Sequence, residues 1–129
     1  MKILVTGGRN YGNREHVFAV LDRIHAKKPI TFVIHGACGW DRDKHNGEDA
    51  MRGADRWADE WARERGRSFH RVAARWHLLG PKAGPLRNGE MLAMEPEFVI
   101  AFPGNIGTAD CIAQARAKGI RVVSYPEQR

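Results

Sequence analysis

The residues with the clearest chemical potential lie in a glycine-rich turn late in the chain. An apolar run over residues 98–102 leads into Pro103-Gly104-Asn105-Ile106-Gly107-Thr108, and an alanine-rich helical pattern follows to Lys118. A strand, a glycine turn and a helix N-terminus together form an anion site, because free backbone N–H groups and the helix dipole favour negative charge there. Thr108 is placed to cap this helix. The turn therefore predicts a phosphate site, and we expect the phosphate of a nucleotide.

Short apolar runs alternate with helical patterns along the chain. The runs cover residues 2–6, 31–35, 68–72, 97–102 and 120–124, and the helical patterns cover residues 13–27, 54–65, 86–94 and 108–118. Such runs, bounded by glycine and proline, are typical of buried strands. The order predicts a single α/β domain over residues 1–129. We expect a Rossmann-like, three-layer domain with a mainly parallel five-stranded sheet and helices on both faces.

The helical patterns also predict which side chains face inward. Asn13 is a good N-cap for the first helix, and Trp57 and Trp61 share one apolar face of the second. That face is a candidate contact between copies of the chain. In the last helix the side chains expected to point inward are those of Ile112, Ala113, Ala115 and Ala117.

The loops after the first four strands meet at one edge of such a sheet, where ligands bind. These loops concentrate glycine, arginine and small polar residues. The candidate ligand-binding residues among them are Gly7, Gly8, Arg9, Gly36, Arg87, Asn88, Pro103, Gly104, Asn105, Gly107 and Thr108. Because Gly7 and Gly8 do not continue into a GxGxxG pattern, a conventional dinucleotide site is disfavoured.

Three charged residues of these loops carry alternative interpretations. Arg9 is either a bidentate phosphate ligand or a solvated loop arginine. Arg87 is expected in the first turn of its helix, where a cation opposes the helix dipole; it is either a functional residue, because a local rule is broken at a site edge, or an ordinary helix-surface arginine, and we favour the first. Asp55 is either a helix cap or the partner of a ribose hydroxyl. Arg87 and Asp55 are also the candidate catalytic residues.

Composition narrows the class of protein. Lys and Arg number 21 and Asp and Glu 15, which gives a formal net charge of +6. This charge suits an anionic ligand and permits nucleic-acid binding, although the basic residues form no block. Cys38 and Cys111 are too few for a disulfide framework or a Cys-x-x-Cys metal site. Without a long apolar run or a signal-peptide pattern, a cytoplasmic protein with no membrane contact is expected.

Other candidate residues have a simpler interpretation. The acidic stretch over residues 41–52 fails the EF-hand pattern, because Asn46 replaces the glycine and Arg52 the last acidic ligand. We therefore expect no metal there, and we expect no cofactor. Trp40 and Trp76 either stack on a base or belong to the core. His35, at the end of a strand, is expected to be a structural histidine.

Taken together, five stretches of the chain resemble the YspA, cpYpsA-related SLOG family, small Rossmann-like proteins of bacteria and their phages. The matching stretches are residues 3–9, 34–36, 53–55, 83–88 and 102–110. The resemblance implies a protein that binds a nucleotide or a nucleotide derivative, as a sensor or a nucleotide-processing protein. Because related enzymes are dimers, it also implies a homodimer or a higher homo-oligomer.

The wider superfamily includes the "lonely guy" phosphoribohydrolases, whose signature is Pro-Gly-Gly-x-Gly-Thr-x-x-Glu. Pro103, Gly104, Gly107 and Thr108 match it, whereas Asn105 replaces the second glycine and Cys111 the glutamate. Asparagine tolerates positive φ, so the turn is expected to survive. Cys111 is either a nucleophile or a small buried residue. The neighbouring Asp110 is expected to point elsewhere, since one residue is about 100° around a helix.

The sequence leaves three functions open. The leading one is binding of a nucleotide-derived phosphate ligand at the C-terminal edge of the sheet. The first alternative is a phosphoribohydrolase or nucleosidase that cleaves a nucleoside monophosphate to base and ribose 5-phosphate, with an unassigned carboxylate. The second, less favoured, is single-stranded DNA binding as in the related DprA-type domains, which predicts a steep salt dependence.

Overall fold

The computed structural model describes residues 1–44 and 47–126. Its strands are β1 (Lys2–Thr6), β2 (Phe32–His35), β3 (Ser68–Arg71), β4 (Phe98–Ala101) and β5 (Arg121–Ser124). Its α-helices are α1 (Arg14–Lys27), α2 (Gly53–Glu64), α3 (Trp76–Leu79), α4 (Ala83–Ala93) and α5 (Ile106–Ala117). Short 3₁₀ turns lie at Glu48–Ala50 and Gly80–Lys82. The predicted alternation of strands and helices is confirmed, with the single-turn α3 as an unpredicted addition.

The strands form one sheet in the order β3-β2-β1-β4-β5, and every pairing in the described part of the chain is parallel. The sheet is therefore wholly rather than mainly parallel. Leu4 of β1 is in register with Ile34 of β2 on one side and with Val99 of β4 on the other. Strand order reverses between β1 and β4, and a crevice opens at such a switch point beyond the carboxyl ends of the strands.

Alternating side chains of β1 divide the core between two faces of the sheet. Ile3 and Val5 pack with α1 and α2 in a cluster that includes Trp61, whereas Leu4 packs with α4 and α5 in a cluster that includes Cys111. The three-layer prediction is confirmed. Trp61 is fully buried, so the predicted contact between copies through Trp57 and Trp61 is wrong for Trp61, which the core already uses.

The beginning of α1 is as predicted, but the beginning of α5 is not. The Asn13 side chain accepts a hydrogen bond from the His16 amide at 3.0 Å and caps α1. Helix α5 begins at Ile106, two residues before Thr108. Thr108 therefore lies inside the first turn, and its prediction as the cap is wrong.

One face of α5 meets the sheet. Thr108, Cys111 and Ala115 are buried, whereas Ala113 and Ala117 are exposed and were wrongly predicted to point inward. The buried set is spaced i, i+3, i+7, one face of a helix. Helix α4 also begins early, at Ala83, so Arg87 lies in its second turn rather than its first.

Candidate functional site

A cleft of about 560 Å³ opens at the switch point between β1 and β4. Its walls come from the loop after β1, the loop after β2, the segment from α3 to α4, and the first turn of α5. The polar part of its lining, called the polar wall below, contains glycines and the charged residues Arg9, Asp55, Arg87 and Asp110. The apolar part of its lining, called the apolar wall below, consists of the side chains of Trp76, Pro81, Pro85, Met91 and Ile106. A volume and a lining of this kind are typical of small-molecule sites.

The loops after β1 and β4 are joined by their backbones at the floor of the cleft. The Gly8 amide donates to the Pro103 carbonyl at 2.8 Å. A Cβ added to Gly104 would lie 2.1 Å from Thr108 Oγ1 and 2.8 Å from the Gly8 nitrogen. Gly104 is thus required for the close approach of two loops. Asn105, which stands where the hydrolase signature has its second glycine, has φ −109°. The turn therefore does not require a positive φ at this position.

The N-terminus of α5 faces the cleft. Asn105, Ile106, Gly107 and Thr108 all line it. No side chain among the described residues caps this helix, so its first-turn N–H groups are directed outward without intrahelical acceptors. A Cβ added to Gly107 would meet nothing within 4 Å. Open space in front of uncapped amides is the geometry that accepts an anion.

The two arginines of this polar wall differ in exposure and in hydrogen bonding. Arg9 is exposed and makes no hydrogen bond or ion pair within residues 1–44 and 47–126. Arg87 is half-buried, and its Nη1 donates to the Gly36 carbonyl while its Nε donates to Asn88 Oδ1 at 3.0 Å. A Cβ on Gly36 would lie 2.4 Å from Arg87 Nη1, so glycine is needed there to admit the guanidinium.

Asp110 points in a different direction from Cys111, as expected, and it is Asp110 that lines the cleft. Its Oδ2 accepts hydrogen bonds from Asn88 Nδ2 at 3.0 Å and from Gln114 Nε2 at 2.7 Å. Asn88 Nδ2 also donates to the Gly107 carbonyl at 3.1 Å. These bonds tie α4 to α5 beneath the cleft. The signal that could have found Asp110 is the burial pattern of α5: with Thr108 and Cys111 toward the sheet, Gly107 and Asp110 share another face.

Asp55 lies at the start of α2, is 5% exposed and lines the cleft. Its Oδ2 accepts a hydrogen bond from the Cys38 amide at 3.0 Å. Burial raises its pKa above the ordinary value, and this outweighs the opposing effects of His35, Arg87 and the backbone amides of Cys38 and Gly36. Asp55 therefore braces the loop after β2 and retains a proton more readily than a solvated carboxyl.

Burial disfavours the reactive form of both cysteines. Burial, the largest effect, raises the pKa of Cys111 to about 11 despite a hydrogen bond with Thr6. Cys111 is fully buried against the sheet, as one of its two interpretations predicted. Cys38 lines the cleft, but burial and then Asp55 raise its pKa as well. Since the thiolate is the reactive form, burial makes both thiols less nucleophilic than an exposed cysteine.

A second charged cluster lies behind the loop after β2. His35 and Asp59 are both fully buried, and His35 Nε2 donates to Asp59 Oδ2 at 2.7 Å because its Nδ1 already accepts the Ala37 amide at 3.0 Å. Arg71 Nε and Nη2 donate to the same carboxylate at 2.7 and 2.9 Å. Arg63 adds a bond at 2.8 Å. His35 is thus structural, as predicted, but its partners were not foreseen.

The structure brings most of the predicted ligand-binding residues together. Those that line the cleft are Gly7, Gly8, Arg9, Arg87, Asn88, Asn105, Gly107 and Thr108, and the candidate Asp55 joins them. Gly36, Pro103 and Gly104 support its walls without lining it. Sequence reasoning missed Thr6, Cys38 and Asp110, and it missed most of the apolar wall. Of the two stacking candidates, Trp76 lines the cleft, whereas Trp40 packs against Ala37, Met51 and Ala73.

Within residues 1–44 and 47–126, no group of three or more His, Cys, Asp or Glu side chains is arranged to hold a metal ion. Across the same residues, no helix has the length and apolarity needed to span a membrane.

The sequence can be compared with known proteins on this basis. Residues 1–44 match the YspA, cpYpsA-related SLOG family. Over 133 aligned residues the chain is 33% identical to the Gene 61 protein of Mycobacterium phage D29, and the alignment covers 98% of each chain. No solved structure matches the chain. The first match contains β1, the loop after it, α1, β2 and the first part of the loop after β2, and the second extends the similarity along the whole domain.

Proposed function

Because the chain belongs to the YspA, cpYpsA-related SLOG family, whose domains are nucleotide-related and Rossmann-like, we propose that its cleft binds a nucleotide or a nucleotide-derived phosphate. The observation that carries this proposal is the uncapped N-terminus of α5, open to a cleft that holds Arg9. The ligand's phosphate sits at the amides of Ile106, Gly107 and Thr108, where the helix dipole favours an anion.

The rest of the cleft fits the rest of a nucleotide. Trp76 and Ile106 are 44% and 87% exposed although they are large and apolar, and both lie on the apolar wall. A base stacked on Trp76 covers this surface and leaves its polar edge toward solvent. Arg9 supplies the second phosphate contact, because it is exposed at the mouth and has no ion-pair partner in the part of the chain that the structure describes.

Binding is tested by calorimetry with AMP, GMP, CMP, UMP, ADP-ribose and NAD. We expect at least one of these to bind the wild type, and Arg9→Ala and Arg87→Ala to weaken that binding by roughly tenfold or more, since charge-assisted hydrogen bonds are strong. Arg116→Ala is the matched control, because Arg116 is an exposed arginine of α5 outside the cleft. If no compound binds, or if all three variants bind alike, the proposal is wrong.

The same measurement separates a mononucleotide site from single-stranded DNA binding. Neutralising several backbone phosphates makes affinity fall steeply with salt. We expect mononucleotide binding to change little between low and moderate salt. Binding of an oligonucleotide that is tighter than that of any mononucleotide, and that falls steeply with salt, would favour the DNA-binding alternative.

A second candidate function is hydrolysis of the N-glycosidic bond, in which a nucleoside monophosphate and water give a free base and ribose 5-phosphate. The observation in its favour is Asp55, a carboxyl of raised pKa that lines the cleft beside Arg87. A group that retains its proton can donate it to a leaving base. Mass spectrometry of the nucleotide panel after incubation tests this, with Asp55→Asn as the variant expected to release no base. An unchanged panel with wild-type protein leaves a binding or sensing domain.

A further inference from the structure

We infer that Asp110 binds the ribose hydroxyls of the ligand and so selects ribonucleotides over deoxyribonucleotides. This inference rests on the nucleotide binding proposed above and identifies the ribose as a part of the nucleotide that the cleft recognises. It assigns a role to a residue that the hydrolase signature passes over, since the signature's glutamate corresponds to the buried Cys111.

The Asp110 carboxylate is held in one orientation by two side-chain amides. Asn88 and Gln114 both donate to its Oδ2, at 3.0 and 2.7 Å. Asn88 is itself fixed, because it is 2% exposed, donates also to the Gly107 carbonyl and accepts from Arg87 Nε. Both bonds fall on Oδ2, and Oδ1 accepts none among the described residues. A rigid side chain that lines the cleft thus offers one unused acceptor to a ligand.

The position of Asp110 along α5 matches the sugar of a nucleotide. Gly107 and Asp110 are three residues apart, so they share one face of the helix. At a rise of 1.5 Å per residue, Asp110 lies about 4.5 Å further along the axis than Gly107. A 5′-phosphate at the amides of the first turn therefore leaves the ribose beside Asp110, one turn deeper, and the base toward the apolar wall of Trp76 and Ile106.

Charge decides which part of the ligand Asp110 touches. A carboxylate repels phosphate, so a site built for an anion gains nothing from Asp110 unless the ligand also presents hydrogen-bond donors. The 2′- and 3′-hydroxyls of ribose are such donors, and a carboxylate accepts from them strongly because the hydrogen bond is charge-assisted. A free phosphate has no equivalent group, and a 2′-deoxyribose lacks one of the two.

The test compares matched ligand pairs by calorimetry. Each ribonucleoside 5′-monophosphate that binds the wild type is measured beside its 2′-deoxy and 3′-deoxy forms. We expect the 2′-deoxy form to bind roughly ten- to a hundredfold more weakly, as the loss of a hydrogen bond to a charged group predicts. In Asp110→Asn, which keeps the shape of the side chain and an acceptor for Asn88, we expect that ratio to fall toward one.

Gln114→Ala is the matched control. It removes one of the two amides on Asp110 and the bond from Gln114 to the Pro85 carbonyl, but it leaves the carboxylate, and Gln114 does not line the cleft. We expect it to keep the preference for ribose.

The outcomes separate the two proposals. Wild-type protein that binds each ribonucleotide and its 2′-deoxy form equally overturns the inference and leaves nucleotide binding intact. An Asp110→Asn variant that loses affinity for all forms in proportion also overturns it, because that is the effect of a merely structural residue. Wild-type protein that binds no nucleotide overturns the proposed function, and this inference with it.

Discussion

Two clusters of arginine and aspartate lie at the same edge of the sheet, and their partners differ. In the buried cluster, Asp59 accepts hydrogen bonds from His35, Arg63 and Arg71, and its own exposure is zero. In the cleft, Arg87 donates to a backbone carbonyl and an amide, and Arg9 makes no ion pair in the described ranges. The charged groups of the first cluster are paired with one another, whereas Arg9 in the cleft remains available to bind a ligand.

The comparison shows that residue types alone do not identify a site. Both clusters combine arginine and aspartate near the ends of parallel strands, where ligands bind. What distinguishes them is whether the hydrogen-bonding groups are already used. The buried cluster positions the loop after β2, since His35 Nδ1 accepts the Ala37 amide, and that loop in turn receives Arg87 and Asp55 from the cleft.

The largest expected effect comes from removing the carboxylate of the buried cluster. Asp59→Ala leaves Arg71 and His35 without their partner, and breaking a buried ionic pair in this way costs about 3–5 kcal/mol. We expect a loss of that size in the free energy of unfolding, measured by urea denaturation.

Glu48→Gln is the control for this change, because Glu48 is an exposed partner of the same arginine and exposed pairs contribute about 1 kcal/mol or less. Equal destabilisation by Asp59→Ala and Glu48→Gln would contradict the view that the buried cluster is structural.

The next largest effect is expected at Gly104, where the two loops meet. Gly104→Ala forces a Cβ against Thr108 Oγ1 and the Gly8 nitrogen, and overpacking of this kind costs about 1–3 kcal/mol. We expect both a lower unfolding midpoint and loss of nucleotide binding.

Gly107→Ala sharpens the same test. Its Cβ meets no atom within 4 Å, so we expect stability to change by no more than about 1 kcal/mol. Nucleotide binding should still fall, because the methyl group enters the cleft in front of the amides. A Gly107→Ala variant with unchanged affinity would place the phosphate elsewhere.

The pH dependence of stability offers a smaller test of the buried cluster. Burial opposes ionisation of Asp59, but hydrogen bonds from Arg71 and His35 outweigh it and hold its pKa well below the ordinary value. Unfolding returns the carboxyl to an ordinary pKa of about 3.9, so the unfolded chain binds more protons in acid and stability falls as pH drops below about 4.

We therefore expect wild-type protein to lose stability more steeply than Asp59→Asn between about pH 4 and pH 2, measured by urea denaturation at a series of pH values. The asparagine variant cannot titrate at this position, so parallel profiles would mean that the Asp59 carboxylate does not supply the stability assigned to it.

The smallest effect is expected on the apolar wall. Trp76→Ala removes a half-exposed ring that packs on Gly84, and we expect it to weaken nucleotide binding by about 1 kcal/mol, close to fivefold, through lost stacking. Calorimetry measures the change, and quenching of tryptophan fluorescence by the nucleotide should disappear. An unchanged affinity would move the base away from this wall.

The strands were predictable, because their apolar runs are local. Each of the five lies within one residue of its predicted limits at either end. The start of α5 was harder to predict, since Thr108 has the chemistry of a cap but lies inside the first turn, close to Gly104. Asp110 lines the cleft and Cys111 faces the sheet, the reverse of what the hydrolase signature implied.

The contacts between distant segments were not predictable. Asp59 accepts hydrogen bonds from His35 on β2 and from Arg71 on β3. The local sequence of α2 does not indicate these partners. The same holds for Arg87, whose place against Gly36 depends on how α4 packs beside β2. A sequence indicates which residue types are present at the sheet edge, and only tertiary packing decides which of them remain free.

The pairing of β1 with β4 has a consequence for how the protein is made. The strand that begins at Lys2 finds one of its two neighbours only at Phe98–Ala101, and the helix that faces its loop follows later still. A ribosome that has synthesised the chain up to Glu97 has therefore produced the cleft lining without the first turns of α5, and a central strand with one open edge. Contacts this distant in sequence slow folding, so the binding site is among the last parts of the molecule to form.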